Sequence, residues 1–505
     1  MPTENHSMAG LAIRPTIIIL SLVGLLVAGP AARALSQSPL PGTPLSAKVD
    51  SIFAEWDTSR SPGCAVAVIQ GGSTIYKRGY GVADLDHDLA ITPATVFHAA
   101  SLSKQFTAMS VMLLVAQGRL SLDDEVSRHI PELPHLATRL TIGDMLHHLS
   151  GIRDQWIFMT MAGWRLSDDV VTRDDVLHFV PRMKALNFKP RDQYLYSNTG
   201  YTLAGLIVER VSKRPLADFA HDNIFHPLGM TNTRFAKTHG VIVPNHAYGY
   251  RQSADQPYEL RMPNYDLVGP TNLLTTVEDL ARWDRNFDDK TVGGAAALSQ
   301  MQAPAQLSNG EMDHYGLGLM LSKYRGLSVV EHDGRDAGYR AHLIRFPDQH
   351  FAVACLCNLA LPEDKLPGAL VRQVADVYLA GQFPVPPGPD PATVAGEGSR
   401  TPQSNATPPA HVTSADLAEY AGRYYSEEIE TSYNIERQGS SVVLTRHKYP
   451  ATLLTPTVRD SFTMSNFSAA LPAATVRFIR DAQGHVSSFL ISGDRVYNFK
   501  FSKQK

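Results

Sequence analysis

Ser101 and Lys104 are the residues of this 505-residue chain whose types and spacing first suggest chemistry. A serine hydroxyl is a weak nucleophile until a neighbouring group takes its proton, and a lysine can do so when burial and nearby charge lower its pKa. In a Ser-x-x-Lys pattern that opens a helix, both side chains lie on one face, about one turn apart. The pattern alone is weak, because residues 502–505 also fit it and because a serine in this place can simply be a helix N-cap.

A second motif, Tyr196-Ser197-Asn198, is the one Tyr-x-Asn of the sequence and stands just before a predicted helix. A tyrosine whose phenolate is stabilised by a nearby lysine can carry a proton between nucleophile and leaving group. The alternative is a loop tyrosine followed by a capping asparagine. The motif becomes informative when it is combined with Ser101.

A third motif, the His-x-Gly at His332-Asp333-Gly334, ends a predicted strand. A strand in this place can line a cleft, and the backbone N–H of Arg335 could join that of Ser101 in an oxyanion hole. Taken alone, His332 would be a strand-end histidine.

In this order, the three motifs resemble the class C β-lactamase and penicillin-binding-protein-like family, which includes D-aminopeptidases and related esterases. The resemblance covers about residues 45–379 and extends to further signatures, at residues 79–84, 147–152, 197–201 and 227–231. It implies a β-lactamase/transpeptidase-like α/β fold, in which an antiparallel sheet flanked by helices meets an all-helical lobe at a cleft.

The resemblance also implies roles for the motif residues. Ser101 would be the acylated nucleophile, and Lys104 with Tyr196 would form the general-base pair, with the working base left open between them. Four residues would bind substrate: Asn198, His332, Gly334 and Arg335. The alternative is a catalytically silent muropeptide-binding or regulatory protein built on the same fold, against which the presence of all the motif residues argues. A lipase-like mechanism is not expected, because the chain has no Gly-x-Ser-x-Gly elbow.

The sequence departs from the family pattern at His332, which replaces the lysine of the usual Lys-Thr-Gly strand. A histidine is mostly neutral near pH 7, which weakens binding of a β-lactam carboxylate and favours an esterase or D-peptidase. Arg335, where the family often has a small residue, either restores a positive charge at the rim or faces solvent. Residues 269–274 also depart from the usual glycine-rich version and are interpreted as a cleft-shaping loop. His148 is interpreted as a hydrogen-bonded core histidine.

Hydrophobic patterns predict the elements that position these motifs. Apolar and alternating runs indicate strands, and longer apolar-periodic runs indicate helices. The predicted strands cover residues 64–69, 74–76, 328–332, 341–346 and 351–357, and the predicted helices cover 104–117, 201–211 and 277–287. Two early and three late strands around a helical middle predict one antiparallel sheet.

The rest of the chain divides by composition. Residues 1–34 read as a signal peptide, 35–44 as a tether, 45–381 as the serine hydrolase domain, 382–412 as a proline-rich linker and 413–505 as a small all-β, lipocalin-like barrel, with a sandwich as the alternative. A periplasmic or secreted location follows. An uncleaved N-terminal segment, and with it membrane attachment, is the alternative.

Charge and cysteine content limit the partners. A formal net charge of −3 gives no reason to expect nucleic acid. The three cysteines lack zinc-site spacing and are interpreted as buried thiols. No motif predicts a metal or cofactor. The expected partner is a small-molecule or peptide substrate, a peptidoglycan fragment included, and the oligomeric state stays open.

Overall fold

A computed structural model describes residues 44–134, 139–253, 255–361, 365–386, 414–439, 441–468 and 470–504. The predicted signal peptide, all of the predicted tether except Pro44, and most of the predicted linker therefore lie outside the described residues. Within the described ranges, none of the helices has the length and hydropathy needed to cross a bilayer.

Most of the helices lie in a lobe on one side of the main sheet, two (the first and the eleventh) cover its other face, and one precedes the barrel. In chain order they are α1 (Pro44–Ile52), α2 (Ser103–Ala116), α3 (Val126–His129), α4 (Ile142–Leu146), α5 (Gln155–Ala162), α6 (Arg173–Phe179), α7 (Asn198–Ser212), α8 (Leu216–Ala220), α9 (Val277–Asp289), α10 (Gly294–Met301), α11 (Pro367–Tyr378) and α12 (Ser414–Tyr420). The three predicted helices are confirmed as α2, α7 and α9.

The first fifteen strands form the main sheet and several short pairs. They are β1 (Cys64–Gln70), β2 (Ser73–Tyr80), β3 (Val82–Asp84), β4 (Leu89–Ala90), β5 (Phe97–His98), β6 (Val171–Thr172), β7 (Arg234–Phe235), β8 (Tyr250–Arg251), β9 (Glu259–Leu260), β10 (Tyr265–Asp266), β11 (Leu273–Thr275), β12 (Met320–Tyr324), β13 (Leu327–Asp336), β14 (Tyr339–Phe346) and β15 (Phe351–Cys357). The main sheet has the order β12-β13-β14-β15-β1-β2, and every neighbouring pair is antiparallel. The predicted antiparallel sheet is confirmed, and β12 is a strand that the sequence pattern did not predict.

Both faces of this sheet are covered, which explains why β1 and β15 are apolar almost without a break. In β1, Ala65, Ala67 and Ile69 pack into the core that also holds the helical lobe. The alternate residues of β1 pack with α1 and α11 on the other face. Helix α2 lies inside the lobe and is buried over most of its circumference, its polar residues included.

The cysteines correct one prediction. Cys64 and Cys357 are register partners on β1 and β15 and form a disulfide, whereas all three cysteines were expected to be buried thiols. Cys355 is the buried thiol that was expected, with its Sγ 3.7 Å from the Sγ of Cys357. The expectation failed because adjacent antiparallel strands bring together residues that are 293 positions apart in sequence.

The last eight strands close into a barrel. They are β16 (Gly422–Ser426), β17 (Thr431–Gln438), β18 (Ser441–Arg446), β19 (Tyr449–Val458), β20 (Ser461–Ser465), β21 (Ala473–Arg480), β22 (Val486–Gly493) and β23 (Val496–Lys503). The predicted barrel is confirmed, and α12 precedes its first strand. The barrel packs on α5, where Tyr433 Oη donates to the Met161 carbonyl at 2.7 Å and Arg446 donates to that of Thr160 at 2.7 Å.

Candidate active site

Ser101 lies in a tight 3₁₀ turn, Ala100–Leu102, between β5 and α2. Ala100 has a φ of 47°, a left-handed conformation that costs an alanine roughly 1–2 kcal/mol. Strained backbone of this kind is tolerated where the surrounding structure holds it in place. Leu102, and not Ser101, occupies the N-cap position of α2, so the capping interpretation of Ser101 is wrong.

Gly334 of β13 packs directly against this turn. A Cβ atom at Gly334 would lie 2.5 Å from the Ala99 carbonyl oxygen and 3.1 Å from the Ala100 Cβ, which no larger residue could accommodate without a shift. Glycine therefore allows the strand to approach the backbone that carries Ser101.

Two side chains meet at the hydroxyl of Ser101. Lys104 Nζ donates to Ser101 Oγ at 3.0 Å, and Tyr196 Oη donates to the same oxygen at 2.9 Å. Lys104 is fully buried, and its Nζ lies 4.7 Å from the centroid of the Tyr196 ring. The three residues that the sequence predicts as catalytic thus form one hydrogen-bonded group.

Lys104 is held by two further acceptors. Its Nζ donates to Asn198 Oδ1 at 2.9 Å and to the Pro270 carbonyl at 2.9 Å. The Pro270 carbonyl belongs to the segment that the sequence marks as a cleft loop, and Thr107 Oγ1 fixes that segment by donating to the Gly269 carbonyl at 2.8 Å. The segment therefore supplies a hydrogen-bond acceptor to Lys104, in addition to the cleft-shaping role expected of it.

Asp154 is a site residue that the sequence did not reveal. It precedes α5 and caps it, because its side chain accepts from the Trp156 N–H at 2.9 Å. The local signal, an aspartate before an apolar helical run, predicts a cap and nothing more. Only the fold shows that the same carboxylate also holds Asn198, with two hydrogen bonds of 2.8 Å.

His148 supports the Tyr196 motif from behind. Its Nδ1 accepts from the Ser197 N–H at 3.1 Å, and its ring centroid lies 4.2 Å from that of Tyr196. Burial, followed by the positive charge of Lys104, holds the pKa of His148 well below its usual range. The prediction of a hydrogen-bonded core histidine is confirmed.

His332 lies beneath the cleft surface and is fully buried. Its Nδ1 is 2.6 Å from the Asp333 carbonyl oxygen, which can only accept, so Nδ1 carries the proton. Its Nε2 is 2.9 Å from Tyr315 Oη, and its ring centroid is 6.3 Å from that of Tyr196.

The cleft has a volume of about 2100 Å³ and is open to solvent. Ser101, Tyr196, Asn198 and Arg335 all line it. Arg335 is 30% exposed and its Nε lies 3.2 Å from Asp333 Oδ2, so its guanidinium is on the cleft wall and is partly neutralised by that ion pair. The barrel closes one side of the cleft with Asp494, Arg495, Tyr497 and Asn498.

A sequence model of the Beta-lactamase family matches residues 49–376. The chain belongs to the Beta-lactamase family. This membership confirms the predicted class, a serine hydrolase, and it covers the sheet, the helical lobe and all three motifs.

Curated relatives of this Beta-lactamase family chain include a penicillin-binding protein and a D-aminopeptidase. It is 31% identical to penicillin-binding protein 4* of Bacillus subtilis (strain 168) over 341 residues, which are 64% of this chain and 74% of that protein. It is 26% identical to a D-aminopeptidase of Gluconobacter oxydans (strain 621H) over 297 residues, which are 59% of this chain and 56% of that enzyme. The chain thus spans only about half of the D-aminopeptidase.

Similar solved structures share the fold of this family member. The octameric penicillin-binding protein homologue from Pyrococcus abyssi has a TM-score of 0.59 and 23% identity, and the match covers 91% of this chain and 99% of that one. At this identity the likeness shows the fold alone. It confirms the predicted β-lactamase-type architecture.

Proposed function

We propose that the chain is an exported serine hydrolase that cleaves a small ester or a D-amino-acid amide through an acyl-Ser101 intermediate. One observation carries the proposal: Ser101 Oγ lies 3.0 Å from Lys104 Nζ and 2.9 Å from Tyr196 Oη, at the wall of an open cleft. A nucleophile within hydrogen-bond reach of its base is the geometry that acyl transfer requires.

The hydrogen bonds of Lys104 suit it to accept the Ser101 proton. The Asn198 and Pro270 oxygens can only accept, so they take two N–H bonds of the amine. A neutral amine then has its lone pair available toward Ser101 Oγ. The Tyr196 hydroxyl, bonded to the same oxygen, is placed to pass a proton to the leaving group.

The reaction proceeds in two balanced halves. Ser101 Oγ loses its proton to the Lys104–Tyr196 pair and attacks the substrate carbonyl carbon, and the proton then goes to the departing alcohol or amine. Water next gives a proton to the pair and attacks the acyl-Ser101 ester, which releases the acid and restores the hydroxyl. We assign stabilisation of the oxyanion to the backbone N–H groups of Ser101 and Arg335, because β13 packs against the Ser101 turn.

The substrate class rests on His332 and on the relatives. The imidazole is fully buried and is not among the groups that line the cleft, so it presents no fixed cation to a β-lactam carboxylate. Relatives include an enzyme named D-aminopeptidase. An ester or D-amino-acid amide is therefore a better substrate than a β-lactam.

Export is supported by the Cys64–Cys357 disulfide, because such bonds persist in oxidising compartments and are rare in the cytosol. Cell fractionation with N-terminal sequencing of the chain tests this part. Mature protein that begins at or near Leu35 outside the cytoplasm supports export, and an intact cytoplasmic chain contradicts it.

The test of the nucleophile is labelling with a fluorescent acyl-ester or β-lactam probe followed by intact mass spectrometry. We expect one adduct on the wild type, none on Ser101→Ala and one on Ser502→Ala, the matched control in the second Ser-x-x-Lys. An adduct that survives Ser101→Ala, or a folded wild type that never reacts and only binds muropeptides, contradicts the proposal.

Turnover of p-nitrophenyl esters, D-alanyl peptides and nitrocefin then ranks the substrates. We expect ester turnover clearly above nitrocefin turnover. The reverse order would refute the role given to His332.

A further inference from the structure

The barrel places a cation beside the catalytic pair. Arg495 lies in the turn between β22 and β23, and its Cζ is 5.2 Å from the centroid of the Tyr196 ring. Its Nη1 is 3.6 Å from Oδ2 of Asp154, and its side chain is 18% exposed. Arg495 is thus a largely buried charge inside the cleft wall.

The turn that carries Arg495 is held rigidly against the helical lobe. Asn187 Nδ2 donates to the Arg495 carbonyl at 3.0 Å, and Asn187 Oδ1 accepts from the Tyr497 N–H at 2.8 Å. Arg153 forms a buried ion pair of 2.7 Å with Glu428 on the barrel and also donates to the Tyr497 carbonyl at 3.2 Å. These contacts hold the backbone of the turn in place.

Two cations therefore flank the Tyr196 ring, Lys104 at 4.7 Å and Arg495 at 5.2 Å. Arginine stays charged at every accessible pH, whereas a lysine and a tyrosine can each lose a proton. A fixed positive charge disfavours a second cation and favours a nearby anion. Both effects act in the same direction, toward loss of one proton from the pair.

The other titratable or charged groups around Tyr196 and Arg495 come from several elements. They are His148, Tyr194, Tyr201, Tyr315 and His332 around the tyrosine and its lysine, and Asp154 and Asp494 around the arginine. The charge of Arg495 acts on the groups around Tyr196, since it is among the charges that, after burial, lower the pKa of His148. The negative charges of Asp154 and Asp494 reduce the positive field of Arg495 at Tyr196. Removal of either negative charge should therefore strengthen that field.

We infer that Arg495 is a positioning residue for the Lys104–Tyr196 pair: supplied by the barrel, its fixed charge favours the form of the pair that has lost one proton. The barrel is then part of the catalytic machinery. This inference rests on the proposed hydrolase activity.

The experiment is the pH dependence of kcat and KM for a neutral p-nitrophenyl ester between pH 5 and 10. In Arg495→Gln we expect the acidic limb of kcat/KM to move up by about one pH unit, which lowers the rate about tenfold on that limb. Arg495→Lys keeps the charge and should stay close to the wild type. Arg477→Gln, at an exposed site on β21, is the matched control and should not move the limb.

Asp494→Asn provides an independent variant with the opposite sign. Asp494 Oδ2 lies 3.5 Å from Arg495 Nε, so removal of its charge strengthens the positive field. We expect the acidic limb to move to lower pH. A merely structural role of the turn predicts no such reversal, and this arm keeps the inference testable even if Arg495→Gln does not fold.

Three results would overturn the inference: a limb that stays in place in folded Arg495→Gln, a change confined to KM, which would make Arg495 a substrate-binding residue, or a limb in Asp494→Asn that stays or moves up. A wild type that hydrolyses no ester or amide instead refutes the proposed function. The two failures are therefore distinct.

Discussion

Asp154 determines the orientation of Asn198. The buried Oδ2 of Asp154 accepts both the backbone N–H and the side-chain Nδ2 of Asn198, each at 2.8 Å. With its nitrogen held in this way, the amide must turn Oδ1 toward Lys104 Nζ, which it meets at 2.9 Å. A residue that does not touch Ser101 thus sets the hydrogen bonding of the base.

Asp154→Asn should weaken catalysis while leaving the protein folded. The new amide has the same shape but loses one acceptor and the charge, so Asn198 is no longer held in one orientation. We expect kcat/KM for a p-nitrophenyl ester to fall about 10–100-fold, as small misplacements of catalytic groups do. Asp168→Asn, at an exposed carboxylate of the cleft rim, is the control. Wild-type kinetics in folded Asp154→Asn would contradict the role of Asp154.

Tyr196→Phe should separate proton transfer from packing. The ring that stacks near His148 remains, but the hydroxyl bonded to Ser101 is lost. We expect kcat to fall at least about 100-fold, the usual size of a general acid–base contribution, with little change in melting temperature. Tyr194→Phe, at the half-exposed neighbour, should retain full kcat. A fall in both variants would point to packing instead.

The Cys64–Cys357 disulfide should stabilise the main sheet. Non-reducing peptide mapping should recover the linked pair, and thiol titration should find one thiol, Cys355, that reacts only after unfolding. The double variant Cys64→Ser/Cys357→Ser should lose about 2–4 kcal/mol of unfolding free energy in urea denaturation. Cys355→Ala should keep the cross-link. Three reactive thiols in unfolded, unreduced protein would disprove the pairing.

Asp313 should make stability depend on pH near neutrality. Burial raises the pKa of its carboxyl from 3.8 to about 7, even though the His314 N–H donates to it. Because the folded pKa lies above the unfolded one, the contribution is fully present below pH 3.8 and is lost as the pH rises through about 7. The unfolding free energy of the wild type should therefore fall relative to Asp313→Asn between pH 5 and 8, as measured by urea denaturation at each pH. A difference that does not change over this range would show that the carboxyl is already ionised.

The Arg153–Glu428 ion pair should secure the barrel on the helical lobe. Both side chains are almost fully buried, at 3% and 6% exposure, so removal of one leaves the other charge uncompensated. Glu428→Gln should cost about 3–5 kcal/mol in chemical denaturation. The double variant Arg153→Met/Glu428→Met should recover part of this loss because no lone charge remains. Equal stability of Glu428→Gln and wild type would make the pair irrelevant to docking.

The sequence by itself determined what is local. The Ser101–Lys104 spacing places both groups on one turn, and the apolar run that follows predicts α2. Alternating and continuous apolar runs predict strands such as β1 and β15, and the regular hairpins predict the barrel. These features depend on neighbours a few residues apart, so composition and spacing are enough to predict them. The motifs at Tyr196 and His332, added to that at Ser101, then indicated the family.

Only the tertiary structure decided which distant groups meet. It buried His332 beneath the cleft, paired Cys64 with Cys357 and brought Asp154, the Pro270 carbonyl and Arg495 to the catalytic pair. No local pattern around Arg495 marks a cleft residue, because its position depends on how a closed barrel docks on the helical lobe. Such contacts follow from the packing of whole elements, which the spacing of residues along the chain does not encode.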